Sequence, residues 1–205
     1  MKKNSLILLF IFLSFQLIFL SGCRKKNIDP NSTTLYLKEL SSYSCKVDIK
    51  IKNTKDTYTY STNQIYSKEI GTRVELGEDR VYIYLEDKVY VTDLKNKLKY
   101  VMDKNVDGIY RLSIIEEYVN LLYTNENIKY KLKNLDGEEF QTIELIIPGN
   151  NRNMSKAILY VNMKTKLPYK LYIYDSKGQE RAEISYNEFK PNAEIDKGLF
   201  EVKWN

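Results

Sequence analysis

The feature of this sequence that most restricts its fold is the alternation of apolar and polar residues in many short segments. Cys45, Val47, Ile49 and Ile51, for example, alternate with charged residues. A period of two residues is typical of a β-strand that buries one face. Segments of this kind follow one another along most of the chain, so the sequence predicts a protein that is mostly β.

The predicted strands are separated by polar breaks and turn residues, as an antiparallel sheet requires. Asp136-Gly137 and Ser176-Lys177-Gly178 have the composition of hairpin turns. Pro168 stands at the start of a strand, where its missing N–H does least harm. Strands are predicted at 44–52, 56–66, 70–76, 80–85, 88–93, 97–102, 127–133, 139–147, 155–163, 168–175 and 179–189.

Two helices are predicted among these strands. The first covers 32–42 and has Ser and Thr residues that can cap its start. The second covers 109–124, where five apolar residues recur at helical spacing: Ile109, Leu112, Ile115, Val119 and Leu122. Such a stripe must cover apolar sheet. We therefore expect an α+β, mostly β fold, in which two helices cover a strongly curved antiparallel sheet, an open half-barrel.

The N-terminus has the features of an export signal. A basic start is followed by an apolar run that begins at Leu6 and ends in Leu20-Ser21-Gly22-Cys23. A cysteine directly after Leu-x-Gly is typical of bacterial lipoprotein signals, in which that cysteine is lipidated and becomes the first residue. The alternative is an uncleaved membrane-spanning helix, for which the run is about long enough.

The lipoprotein interpretation divides the chain into three parts. Residues 1–22 are predicted to be the signal peptide, 23–32 the lipidated Cys23 and a tether, and 33–205 a single domain. Because two acyl chains are needed for stable anchoring, lipidated Cys23 would hold the domain at the extracytoplasmic face of a membrane. The formal charge would fall from +5 to +3, since the signal holds two lysines and no acidic residue. So mild a charge predicts no nucleic-acid partner.

The composition also excludes several kinds of catalytic site. The chain has no histidine, which rules out a Ser-His-Asp triad, a Cys-His pair and histidine-ligated zinc. Cys45 lies on the apolar side of its predicted strand and has no histidine to activate it, so we interpret it as a core thiol. We therefore predict that the protein is not an enzyme and has no catalytic residues, metal or cofactor of its own.

Tyrosine is the best sequence clue to a binding surface, because the chain has 18 of them. Several alternate with apolar residues in strands, so that one face can join the core and the other present tyrosine. Exposed tyrosine is favoured at protein interfaces, although cross-strand tyrosine packing is an alternative role. The candidate partner-binding residues are Tyr82, Tyr84, Tyr172 and Tyr174.

The last third of the chain carries a recognisable pattern. It runs through Tyr160-Val161-Asn162, Lys166-Leu167-Pro168 and Asp175-Ser176-Lys177-Gly178, and ends with Asn192, Ile195 and Phe200. This pattern resembles the LolA/LolB-like lipoprotein-carrier superfamily, although Asn162 replaces the family's usual aspartate. The resemblance implies an open half-barrel covered by helices.

The lipoprotein signal, the Lys- and Tyr-rich composition and this pattern together resemble the GerS-type spore-germination lipoproteins of clostridia. That resemblance implies a non-catalytic protein of the spore envelope that binds and activates a CwlD-type, zinc-dependent N-acetylmuramoyl-L-alanine amidase. The amidase, which would hold the zinc, acts on cortex peptidoglycan. The alternative is a carrier that holds a lipid or lipoprotein acyl chain in the half-barrel. Open sheet edges also allow a homodimer, by edge pairing or strand swapping.

Overall fold

The computed structural model describes residues 31–106, 108–124 and 126–202. The predicted signal peptide at 1–22, the lipidated Cys23 and most of the tether at 23–32 lie outside the described residues. Strands make up 52% of the structure, so the expectation of a mostly β protein is confirmed. None of the described helices has the length and apolar character needed to cross a bilayer.

The elements form two meanders of strands with two short helices between them. In chain order they are α1 (Asn31–Glu39), β1 (Ser42–Lys52), β2 (Thr57–Ser67), β3 (Gly71–Leu76), β4 (Arg80–Leu85), β5 (Lys88–Asp93), β6 (Leu98–Asp103), α2 (Gly108–Ser113), α3 (Ile115–Leu122), β7 (Lys129–Leu135), β8 (Glu138–Ile146), β9 (Lys156–Asn162), β10 (Pro168–Tyr174), β11 (Glu180–Pro191) and a final 3-10 turn, η1 (Lys197–Phe200).

All eleven strands belong to one antiparallel sheet with the order β6-β5-β4-β3-β2-β1-β11-β10-β9-β8-β7. The two meanders meet where β1 pairs with β11, with Val47 opposite Tyr186. The sheet is curved and does not close. The expected α+β, mostly β fold with an open half-barrel is therefore confirmed.

The helices cover one face of the sheet, which we call the inner face, and the opposite face is the outer face. Leu159, Leu171 and Ile184 point to the inner face and are fully buried in one cluster with Tyr118 and Val119 of α3. Burying a side chain of this size stabilises a fold by about 1.5–3 kcal/mol. The helical stripe predicted from the sequence therefore does cover apolar sheet.

The mid-chain helix differs from the prediction, because it is divided into α2 and α3 at Ile114. The backbone of Ile114 is extended, and its side chain makes no capping hydrogen bond. Tyrosine hydroxyls of the sheet bind the backbone groups on either side of this break. The Tyr186 hydroxyl donates to the Ser113 carbonyl over 3.0 Å, and the Ile115 N–H donates to the Tyr43 hydroxyl over 3.2 Å. We call this break the helix junction.

The residues of the C-terminal pattern stabilise turns and chain ends. The Asn162 side-chain oxygen accepts hydrogen bonds from the Lys164 and Thr165 N–H groups, at 2.9 and 3.0 Å. An aspartate oxygen could accept the same bonds, which explains why asparagine is tolerated here. Asn192 binds the Ser41 N–H in a similar way. This pattern therefore reports on the fold rather than on a binding site.

Candidate partner interface

The four tyrosines predicted to bind a partner lie on opposite faces of the sheet. Tyr172 and Tyr174 alternate with buried Leu171 and Ile173 of β10 and lie on the outer face, as expected. On β4 the expectation is reversed. Tyr82 and Tyr84 lie on the inner face, and the apolar residues between them face outward. The four residues therefore cannot form a single surface.

Tyr84 is a packing residue, because only 5% of it is exposed. It belongs to a small cluster with Val74, Val89, Val91 and Ile114 of the helix junction. The prediction of Tyr84 as an exposed anchor is therefore wrong.

The apolar residues of β4 are not left exposed by this reversal. Ile83 faces outward and is nevertheless 6% exposed. The C-terminal segment lies on the outer side of the neighbouring strand β3, where the Arg73 guanidinium donates to the Leu199 carbonyl over 2.8 Å. Ile83 and Tyr84 are therefore buried on opposite faces of β4, so the alternation in its sequence could not show which face is inner.

The inner face and the adjoining helix α2 together carry a set of tyrosines that is partly open to solvent. It consists of Tyr58, Tyr60, Tyr82, Tyr100 and Tyr110, and we call it the inner tyrosine surface. Tyr58 is 47% exposed and Tyr100 is 41% exposed, and the ring centroids of Tyr60 and Tyr110 are 6.0 Å apart. Exposed tyrosine is favoured at protein interfaces.

A fixed charge lies beside this surface. Arg80 Nε donates to Asp93 Oδ2 over 3.0 Å, and Asp93 also accepts the Asn96 N–H over 2.8 Å. The hydrogen bonds from Asn96, and then the contact with Arg80, lower the pKa of Asp93. A hydrogen bond with Tyr82, together with Asp93, raises the pKa of Arg80. A positioned arginine among tyrosines has the composition of an interface hot spot.

The outer tyrosines, by contrast, are occupied by contacts within the sheet. The rings of Tyr160 and Tyr172 meet edge to face with centroids 5.5 Å apart. Lys133 Nζ donates to the Tyr160 hydroxyl over 2.8 Å, and Lys156 Nζ lies 5.0 Å from the Tyr174 ring centroid. Burial raises the pKa of Tyr174 to about 12. These tyrosines pack across strands, which is the alternative role that the sequence left open.

Two other features bear on chemistry at this fold. Cys45 is 6% exposed, and burial raises the pKa of its thiol to about 12, so the thiol is protonated at neutral pH. Among the described residues, no group of three or more Cys, Asp or Glu side chains is placed to hold a metal ion.

A small pocket lies between the helices and the inner face. Its volume is about 100 Å³, and it is lined by residues that include Leu37, Tyr66 and Glu116. Burial raises the pKa of Glu116, and its hydrogen bond with Tyr66 acts in the opposite direction. Pockets that bind small molecules usually measure about 300–1,000 Å³, so this one is small for a lipid chain.

The fold is shared with solved structures of low sequence identity. An uncharacterized conserved protein from Thermus thermophilus has a TM-score of 0.54 and 12% identity, over 83% of this chain and 92% of that one. A protein domain assigned to outer membrane lipoprotein sorting in Vibrio parahaemolyticus has a TM-score of 0.50 and 11% identity, over 84% and 94% of the two chains. These likenesses support the fold alone.

A third similar structure is the CwlD amidase from Clostridioides difficile in complex with the GerS lipoprotein. Its matching chain has a TM-score of 0.48 and 24% identity, over 82% of this chain and 98% of that chain. No curated protein matches the sequence. The sequence profile of one family, described as sporulation protein YdcC-like, matches residues 2–200. Since this match covers almost the whole chain, the protein belongs to the YdcC-like family of sporulation proteins.

Proposed function

We propose that this protein is a lipid-anchored, non-catalytic partner that binds and activates a CwlD-type zinc amidase during spore formation. The substrate of that amidase is the cortex peptidoglycan, whose modification is needed for germination. The sporulation family supports the biological setting. The resemblance to GerS-type lipoproteins supplies the partner class, and GerS itself has been solved in complex with CwlD.

The observation that carries this proposal is the inner tyrosine surface. Tyr58 and Tyr100 are among its most exposed members, and Arg80, which pairs with Asp93, interacts with Tyr82. A binder activates an enzyme only through a higher affinity for the active state than for the inactive one. A shift from 1:99 to 99:1 needs about 5.5 kcal/mol of such preference. A few tyrosine and arginine anchors, at about 2 kcal/mol or more each, are sufficient.

The lipid-carrier alternative has weaker support from the geometry. A carrier needs a cavity of the size of its ligand, whereas the pocket beneath the helices has a volume of about 100 Å³. The inner face there is filled by fully buried side chains such as Leu159, Leu171 and Ile184. Lipid that co-purifies at one molecule per chain would nevertheless favour the carrier.

The test is to mix the full-length chain, purified in detergent, with a CwlD-type amidase and to measure muropeptide cleavage. We expect a stable complex and an increased rate, with no cleavage by the chain alone. The double variant Tyr58→Ala/Tyr100→Ala should weaken binding by a factor of ten or more. Tyr169→Ala is a matched control, since Tyr169 is as exposed as Tyr100, at 41%, and lies in β10, where its ring contacts Phe140 of β8.

The outcomes separate the function from the surface. No complex and no change in rate with the wild-type chain would reject the proposed function. A double variant that is folded and binds like the Tyr169→Ala control would reject the inner tyrosine surface as the interface. Folding of each variant is checked by circular dichroism and by its unfolding midpoint in urea.

A further inference from the structure

Strand β2 extends beyond its neighbour β3 and leaves part of the sheet unpaired on one side. Strand β3 ends at Leu76, opposite Thr62, whereas β2 begins at Thr57 and pairs with β1 along its whole length. Within the described part of the chain, residues 57–61 therefore have a strand on one side only. We call this segment the β2 edge. Four of its five residues are exposed.

The β2 edge lacks the features by which proteins usually prevent strands from adding to a sheet. Its sequence is Thr-Tyr-Thr-Tyr-Ser, which contains no charge and no proline and strongly favours the β conformation. The two outer edges of the sheet do carry charges. Strand β7 has Lys129, Lys131 and Lys133, and β6 has lysine and aspartate residues. Charged side chains on an edge strand oppose pairing with another chain.

The two sides of the β2 edge differ in chemistry. On the inner face of the sheet, Tyr58 and Tyr60 belong to the inner tyrosine surface. On the outer side lies an open groove of about 480 Å³, lined by polar and charged residues that include Lys46, Ser61 and Glu188. An added strand would therefore direct alternate side chains towards an aromatic surface and a polar groove.

The ends of the β2 edge also restrict what can bind. Beyond Leu76 the chain turns back through Gly77, Glu78 and Asp79, so an added strand meets an acidic turn at one end. A second copy of the β2 edge, paired antiparallel about Thr59, would bring Asp56 of each copy to the acidic turn of the other. Like charges would then face each other, which disfavours this self-pairing.

We propose that the β2 edge accepts an extended segment of the partner amidase as an additional strand. The segment has large apolar residues at alternate positions, polar residues between them and a basic residue near Glu78 and Asp79. Backbone hydrogen bonds would supply affinity, and the tyrosines and the groove would supply specificity. This inference rests on the proposed function and identifies where on the chain the amidase binds.

The experiment measures binding of a CwlD-type amidase to the full-length chain and to three variants in detergent. Thr59→Lys adds an edge charge and should raise Kd at least tenfold. Thr59→Val keeps a β-favouring, uncharged residue and should bind within twofold of the wild type. Ser185→Lys is the matched control, because Ser185 has strands on both sides, and it should also bind within twofold. Hydrogen exchange in the complex should slow at 57–61.

Each outcome has a distinct meaning. A wild-type chain that does not bind the amidase overturns the proposed function and this inference together. If the wild type binds, equal Kd values for Thr59→Lys and Ser185→Lys, with unchanged exchange at 57–61, overturn the inference and leave the function intact. A concentration-dependent dimer that is lost in Thr59→Lys would show that a second copy occupies the edge, which would also overturn it.

Discussion

The helix junction gives the sharpest test of how this fold is held together. Two tyrosine hydroxyls from the sheet take the place of helix caps there. Tyr186 donates to the Ser113 carbonyl, and Tyr43 accepts from the Ile115 N–H. Both tyrosines are buried, at 5% and 1% exposure. Replacing either by phenylalanine removes a hydroxyl and leaves the ring, so the core keeps its shape and one backbone group loses its partner.

The expected loss follows from that missing partner. A buried backbone group left without a hydrogen bond costs about 1–3 kcal/mol, so Tyr186→Phe and Tyr43→Phe should each lower the free energy of unfolding by about 2 kcal/mol. For a chain of this size that corresponds to a fall in Tm of about 4–8 °C. The two hydroxyls bind backbone groups of the same junction and interact electrostatically, so we expect the effect of the double variant to differ from the sum of the two single effects.

The assay is equilibrium unfolding in urea, followed by circular dichroism, with the slope m compared among variants. Tyr123→Phe is the control, because Tyr123 is 54% exposed and its hydroxyl can bond to water. Unfolding free energies for both junction variants within about 0.5 kcal/mol of the control, the usual range for surface substitutions, would refute the capping role of the hydroxyls.

The pH dependence provides a second check on the same residues. Burial raises the pKa of Tyr43 and of Tyr186 well above 10. In the unfolded chain tyrosine ionises near pH 10, so the unfolded state loses protons first as the pH rises. Stability is therefore fully present below pH 10 and decreases above it. The phenylalanine variants should lose less stability than the wild type over this alkaline range.

Two further predictions concern the anchor and a turn. Cys23→Ala should release the protein from membranes or leave an unprocessed precursor. Membrane fractionation followed by immunoblotting measures both. A normally processed variant that stays on the membrane would contradict the lipid anchor. Asp175 accepts the Lys177 and Gln179 N–H groups and pairs with Arg181. Burial raises the pKa of Asp175, but these bonds outweigh it and leave the pKa lowered. The stability of the fold should therefore fall as the pH decreases through this pKa. Asp175→Asn should have a lower urea midpoint than the wild type at pH 7, and its midpoint should fall less on acidification. Equal acid sensitivity of the two proteins would contradict this prediction.

The strands and turns of this fold were predictable from local sequence. The predicted strand at 168–175 appears as Pro168–Tyr174, and the one at 44–52 appears as Ser42–Lys52. The Asp136-Gly137 hairpin is also present between β7 and β8, and both of its residues have positive φ. These features depend on alternation and on turn residues within a few positions of one another, so a linear sequence contains the information.

The helix junction and the β2 edge were not predictable in this way. The apolar stripe continues across Ile114 without interruption, so the sequence indicates one helix. The hydroxyl groups that bind the backbone at this division belong to Tyr43 and Tyr186, which are distant from it in sequence. The β2 edge exists because β3 is shorter than β2, and a comparison of two strands in register is needed to see it.

The sequence by itself determined that this chain forms alternating strands with two different faces, and that it lacks the histidines of common catalytic sites. Only the tertiary structure decided which face of each strand is buried. On β10 the tyrosines face outward, whereas on β4 Tyr84 is in the core and Ile83 lies under the C-terminal segment. Alternation reveals two faces, but burial depends on what packs against each face. Because tyrosine is both large and polar, it fits the core as well as the surface. Which of the two it occupies depends on the distant parts of the chain that pack against its strand.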